Sequence, residues 1–188
     1  MKKSLKLKTD ELIDNLMSEK SYNLIATKIF KEFNDKTVLL GNWCIPDEDI
    51  KVINILNYHW EDKKKLVDDY VYIDSFYEKL LSDLSNNLNK FHNQKFSENF
   101  WRILIGPWLA YFVQIIFDRN ENIKNALKKY KIKEFYDLDY LNYDLTPNNI
   151  EEFLYFINTD IWNQKIYSDI IKPLNKNSKH KIEINLKS

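Results

Sequence analysis

At 188 residues, with 28 Lys plus Arg against 28 Asp plus Glu, the chain has room for one domain, or one and a half, and carries no net charge to steer it toward nucleic acid. Apolar residues make up 44% and aromatics 15%, which is a real core and excludes a disordered tail. Two glycines cannot build a Walker A loop or a GxGxxG turn, since both need several positions without a Cβ, so a self-contained P-loop or Rossmann nucleotide-binding enzyme is all but excluded.

In chain order, the first residues are basic but have no apolar stretch behind them, unlike a signal peptide. Asp10 to Phe33 carries a loose helical pattern that breaks near Ser21, so residues 1–36 read as an N-terminal helical segment. Thr37 to Gly41 is the one compact strand-like run, and a second, short strand is read around Val52 to Leu56. From Glu61 to His92 apolar residues recur at spacings of three and four with neither Gly nor Pro, which predicts a helix of about 30 residues whose seam needs another helix against it. Ser97 then offers an N-cap, and Phe100 to Phe117 is apolar on nearly every side, the pattern of a buried central helix. Gly106-Pro107 should break that helix into two pieces with a kink. Its apolar run of about 15 residues is short of the ~20 that span a bilayer, and no transmembrane segment is expected. Lys131 to Leu145 is aromatic and irregular. Thr146-Pro147 opens a helix to about Asn158, Thr159-Asp160 opens another that ends near Pro173, and residues 176–188 read as a polar tail. The expected fold is mainly α, with one or two short strands, and the expected compartment is the cytoplasm.

Few residues stand out as chemical. His59, just before the long helix and beside Glu61 and Asp62, is the candidate general base or substrate-binding imidazole; a helix-capping or space-filling histidine is the plainer reading. His92 at a helix end and His180 in the tail are weaker, and three scattered histidines make no metal motif. Cys44 is the only cysteine, which excludes an intramolecular disulfide, and it lacks a partner base. The chain has 26 Lys and 22 Asn but only two Arg, a skew expected of an A+T-rich genome. Both arginines, Arg102 and Arg119, fall in a stretch from Trp101 to Arg119 that holds no Lys. Where Lys is the default, Arg points to a need for the planar fork, on a ligand's phosphate or carboxylate or on an internal acid such as Asp118. Trp43 and Asp62 join them as binding candidates.

Gly41-Asn42-Trp43-Cys44, Tyr58-His59-Trp60-Glu61-Asp62-Lys63, Trp101-Arg102-Ile103 through Gly106-Pro107-Trp108-Leu109 and Phe117-Asp118-Arg119 together resemble a bacterial transferase family. That family was first defined in Leptospira and is associated with O-antigen and other surface-carbohydrate biosynthesis. Asp160-Ile161-Trp162-Asn163 with Tyr167-Ser168 continues the likeness, which covers about Thr37 to Leu174. Lys63 stands where the family tends to have Arg. Members run to several hundred residues, with a glycosyltransferase-like remainder after this region. The resemblance therefore implies the N-terminal, acceptor-side region of a glycosyl-type transferase, over residues 37–175. It further implies a carbohydrate acceptor, a C-terminal half or second chain as partner, and a nucleotide-sugar donor held only with that further domain. No cofactor is identifiable in the residues present, and the chain alone is expected to be inactive. The alternative is a non-catalytic interaction module or truncated product that binds a partner chain. Docking of Ile103 to Phe117 on a membrane is disfavoured, because interfacial helices need a polar face.

Overall fold

The computed structural model describes residues 21–31, 33–45, 54–140, 143–177 and 182–187. Five strands form one sheet: β1 Tyr22–Ile25, β2 Thr37–Leu39, β3 Asn54–Ile55, β4 Ile132–Leu138 and β5 Glu183–Lys187. All four pairings are parallel, in the spatial order β3-β2-β1-β4-β5. Among the described residues there are four α-helices: α1 Lys63–Phe91, α2 Glu98–Lys129, α3 Ile150–Phe156 and α4 Asp160–Asn177.

The expected predominance of helix is borne out, but the one or two short strands expected are five in a single parallel sheet, so the fold is α/β. The strand order is that of a doubly wound sheet, which builds outward in one direction from β1 to β3 and then in the other from β4 to β5. The glycine count excluded a phosphate-binding turn; it does not bear on the sheet itself. Tyr22–Ile25, expected within a helical segment, is the central strand, and residues 1–20 lie outside the described residues. Leu24 and Ile25 are both buried, because a strand in a parallel sheet is covered on both faces and shows no alternation. Ile132–Leu138, expected to be irregular, is a strand for the same reason, with Phe135, Tyr136 and Asp137 buried in succession. Glu183–Lys187, expected in a loose tail, is a sheet-edge strand on β4; polar edge strands are common because they resist further pairing.

Helix α1 is 29 residues long, about 43 Å at 1.5 Å per residue. Asp62 starts it, its side chain accepting from the backbone N–H of Lys64 and Lys65. Helix α2 folds back along it, starting at the expected N-cap Ser97, which accepts from Phe100 N–H. Ile73, Leu81, Leu109 and Val113 fill the seam, with Tyr77, Leu80, Leu84 and Trp108 around them. Helix α2 runs unbroken through Pro107, contrary to the expected two pieces. Pro107 lies on the exposed side, where water can replace the hydrogen bond that the Ile103 carbonyl loses. Nor is α2 buried all round, for Ile103, Leu104 and Tyr111 are exposed. Gly106 has a packing role instead: a Cβ there would meet the Tyr77 hydroxyl at 2.8 Å, so the glycine lets the two helices approach.

Helix α3 starts later than expected, at Ile150, because Asn149 rather than Thr146 caps it by accepting from Glu152 N–H. Helix α4 continues past the exposed Pro173 to Asn177. The last turns of α2 and the middle of α4 pack on the sheet, where Ile123, Ala126, Tyr167 and Ile171 join Leu24, Val38, Leu39 and Phe135 in the main core. That docking carries the α2 residues around Asp118 to the carboxyl ends of the strands. By length and composition α2 could also cross a membrane.

Candidate functional site

A cleft of about 470 Å³ opens at the carboxyl ends of β1, β2 and β3. Each strand contributes the residues just beyond its end: Thr27 after β1, Gly41 to Trp43 after β2, and Tyr58 with Glu61 after β3. Asp118 and Arg119 of α2 and Asn158, Asp160, Asn163 and Tyr167 around the start of α4 close the other side. Crevices at the carboxyl edge, where a doubly wound sheet changes direction, are where such folds place ligands.

Trp43 reaches this cleft because Gly41 leaves room for it. A Cβ on Gly41 would sit 2.2 Å from the Trp43 ring, so only glycine lets the indole fold back over the strand end. The indole N–H donates to the Ala26 carbonyl at 3.1 Å, and Tyr58 meets the ring edge-on at 5.9 Å. With its N–H engaged and 38% of the residue exposed, Trp43 offers the cleft an apolar ring. Next to it Cys44 is buried, and burial pushes its thiol up to about 12, so it packs as a small hydrophobe and is a poor nucleophile.

Arg119 is fixed from two sides. Its Nε and Nη2 donate to Asn163 Oδ1 at 3.2 and 2.7 Å, and Nη1 donates to Asp118 Oδ2. Tyr167 lies under the guanidinium at 5.7 Å. Of five guanidinium N–H groups three are engaged, so two remain for an anion or hydroxyl in the cleft. Behind it Asp118 is buried. Burial alone would raise its carboxyl, but the His59 hydrogen bond, the Arg119 charge and the nearby Tyr58 hydroxyl outweigh that and hold it below the ordinary carboxylate value.

His59 contacts Asp118 through Nε2 at 2.9 Å. Its side chain is 1% exposed and does not line the cleft. Its Nδ1 has no hydrogen-bond partner, the nearest acid being Asp69 at 3.7 Å. The imidazole therefore orients Asp118, and through it Arg119, from beneath the cleft floor. Asp69 is itself held by the Trp60 indole N–H at 2.9 Å and by Lys65.

The two arginines part company. Arg102 grips Glu78 of α1 with both Nη atoms, at 2.7 and 2.6 Å, and also Glu98. It is 16 residues from Asp118 on α2, about 24 Å away along the axis. Asp62 is the α1 cap and does not line the cleft either. Trp101 is buried against α1, its N–H on Asn89 Oδ1 at 3.0 Å, while Trp108 is half-buried, stacked on Phe112 and edge-on to Phe153.

Sequence reasoning missed Asp160 and Asn163 as site residues. Asp160 lines the cleft from the first turn of α4, and burial raises its carboxyl, with Lys28 partly offsetting the effect. No hydrogen bond to its carboxylate occurs among the described residues. Among those residues no three His, Cys, Asp or Glu side chains converge as metal ligands. The cleft can hold an apolar ring face on Trp43 while Arg119, Asp160 and Glu61 meet polar groups at its rim.

These features define a doubly wound α/β protein with a polar, aromatic-floored cleft at the strand ends. Residues 22–187 match the model of the LIC12162 family transferase, and the chain belongs to that transferase family. The match is wider at both ends than the likeness seen in the motifs. No curated protein matches the chain, and no solved structure does.

Proposed function

We propose that the cleft is the acceptor site of a glycosyl-type transferase acting in the cytoplasm on surface polysaccharide or O-antigen precursors. The carrying observation is Trp43, an indole with its N–H already satisfied and its ring turned to a cleft rimmed by Arg119, Asn163, Asp160 and Glu61. A pyranose presents that combination of surfaces, with C–H groups on a face that packs on an aromatic ring and hydroxyls around its edge that need donors and acceptors. Asp160 takes the proton of the attacking hydroxyl as its oxygen bonds to the anomeric carbon of a nucleotide-sugar donor and the nucleoside diphosphate leaves with the bonding pair. A carboxyl raised by burial suits a base, and the low-lying Asp118 suits the permanent anion that fixes Arg119. His59 is a positioning residue for Asp118.

The donor's diphosphate needs several cations, a metal or backbone N–H groups at a helix N-terminus. Arg119 alone is a small fraction of that. In this reading the donor-binding part lies in a further domain or a second chain, and these 188 residues bind acceptor without turning it over. Calorimetric titration with a panel of hexoses, 6-deoxyhexoses and amino sugars tests it. Binding that is lost in Trp43→Ala and weakened in Arg119→Lys supports the reading, and a panel without a binder refutes it.

A further inference from the structure

The far end of the α1–α2 hairpin, on either side of the turn at 92–97, lies away from the cleft and exposes a group of large apolar side chains. Phe91 is 83% exposed, Ile103 82% and Leu104 62%, and Phe96 and Phe100 are exposed beside them. Such a cluster needs an explanation, whereas single exposed apolar residues do not. The turn is closed by its own hydrogen bonds. Asn89 donates to the Phe96 carbonyl at 2.8 Å and accepts from Phe96 N–H at 3.0 Å and from the Trp101 indole. Phe96 and Phe100 stack at 4.1 Å. These bonds and the stack set Phe96, Phe100 and Trp101 in place beside the turn.

Charge narrows what could cover them. From Leu84 to Leu104 the charged residues are Lys90, Lys95, Arg102 and Glu98, and Arg102 is held by Glu78 of α1 as well as by Glu98. Glu98 is already taken by Arg102, which leaves Lys90 and Lys95, both exposed, beside Phe91 and Phe96. Exposed aromatic rings with flanking lysines are what a lipid–water boundary favours: rings enter the headgroup zone and lysines reach the phosphates.

We propose that the end of the α1–α2 hairpin docks on an anionic bilayer surface, with Phe91, Phe96, Ile103 and Leu104 entering the headgroup–acyl boundary and Lys90 and Lys95 on lipid phosphates. The demand for a polar face is met by the hairpin as a whole. The inner side of α2, with Trp101, Gly106 and Leu109, is buried on α1, and only the outward apolar groups are free to insert.

The test uses the whole chain with one new thiol, Ile103→Cys, since Cys44 is buried. The thiol carries an environment-sensitive dye, and Tyr155→Cys serves as a label away from the hairpin end. Vesicles of equimolar phosphatidylcholine and phosphatidylglycerol should blue-shift the dye at position 103 but not at 155, and should carry the protein down on sedimentation. Ile103→Ser with Leu104→Ser should weaken partitioning by about tenfold or more, and Lys90→Glu with Lys95→Glu by roughly fivefold per lysine, both with an unchanged melting temperature. Three results would overturn the proposal: no partitioning, partitioning indifferent to both double variants, or a blue shift without lipid that grows with protein concentration alongside a dimer's mass. The last assigns the surface to a second copy of the chain.

Discussion

Gly41→Ala tests why the cleft has an indole in it. The backbone there is extended, a conformation that alanine adopts freely, so the substitution acts through space alone. The new Cβ would lie 2.2 to 2.5 Å from three atoms of the Trp43 ring, far inside contact distance, and the indole must move. Its bond to the Ala26 carbonyl is then lost, which costs ~1 kcal/mol, and misfitting the ring adds ~1–3 kcal/mol. Against this, alanine restricts the unfolded chain and returns ~0.4–1 kcal/mol. The expected net is a loss of about 1–3 kcal/mol by urea denaturation, together with loss of saccharide binding. In a Trp43→Ala background the obstacle is gone, so the same substitution should be neutral or stabilising by ~0.4–1 kcal/mol. The difference between the two backgrounds gives a coupling of about 1–4 kcal/mol. If Gly41→Ala costs the same in both backgrounds, the glycine serves something other than Trp43 and the reasoning fails.

Other perturbations separate the remaining parts. Replacing His59 with Ala strips the buried Asp118 of a partner and should cost ~2–3 kcal/mol in denaturation, with Arg119 loosened and saccharide binding weakened in step. Arg119→Lys should weaken binding by about tenfold or more, whereas Arg102→Lys should leave the calorimetric titration unchanged. Asp118 lies below its ordinary value, so its contribution to stability is complete above about pH 4 and is lost as pH falls through the folded-state value; Asp118→Asn should flatten the acid limb of a melting-temperature profile. Asp160 lies above its ordinary value, so its charge opposes folding once pH rises through that value. Asp160→Asn should therefore melt higher than the parent at pH 7 while abolishing transfer in a reconstituted assay. Trp101→Ala should cost ~3–5 kcal/mol.

Much of the helical half was legible. Helix α1 and the start of α2 were set out by a long three-and-four spacing and by Ser97, and Asp62 by its place before that run. The sheet was not legible, because strands of two to seven residues cannot show a period, and central parallel strands such as Leu24-Ile25 bury neighbours on both faces. Pro107 and Pro173 misled for the opposite reason: their cost depends on whether the freed carbonyl meets water, which only the packing decides. Of the candidate site, Trp43 and Arg119 line the cleft, His59 supports it from below, and Arg102 and Asp62 belong to the hairpin. Asp160 and Asn163 had no local signal beyond resemblance, since an Asp and an Asn in the first turn of a helix are ordinary until the fold turns that turn toward a cleft.

The most direct measurement follows the side-chain indole signals of the five tryptophans in a nitrogen-15 labelled sample as a saccharide acceptor is added. A sugar seated on the Trp43 ring predicts a saturable shift of the Trp43 signal whose midpoint moves to about tenfold higher concentration or more in Arg119→Lys. The Trp101 signal, buried on the hairpin, should stay in place. A Trp43 signal that no saccharide moves, or five signals that drift together, would contradict an acceptor site at the strand ends.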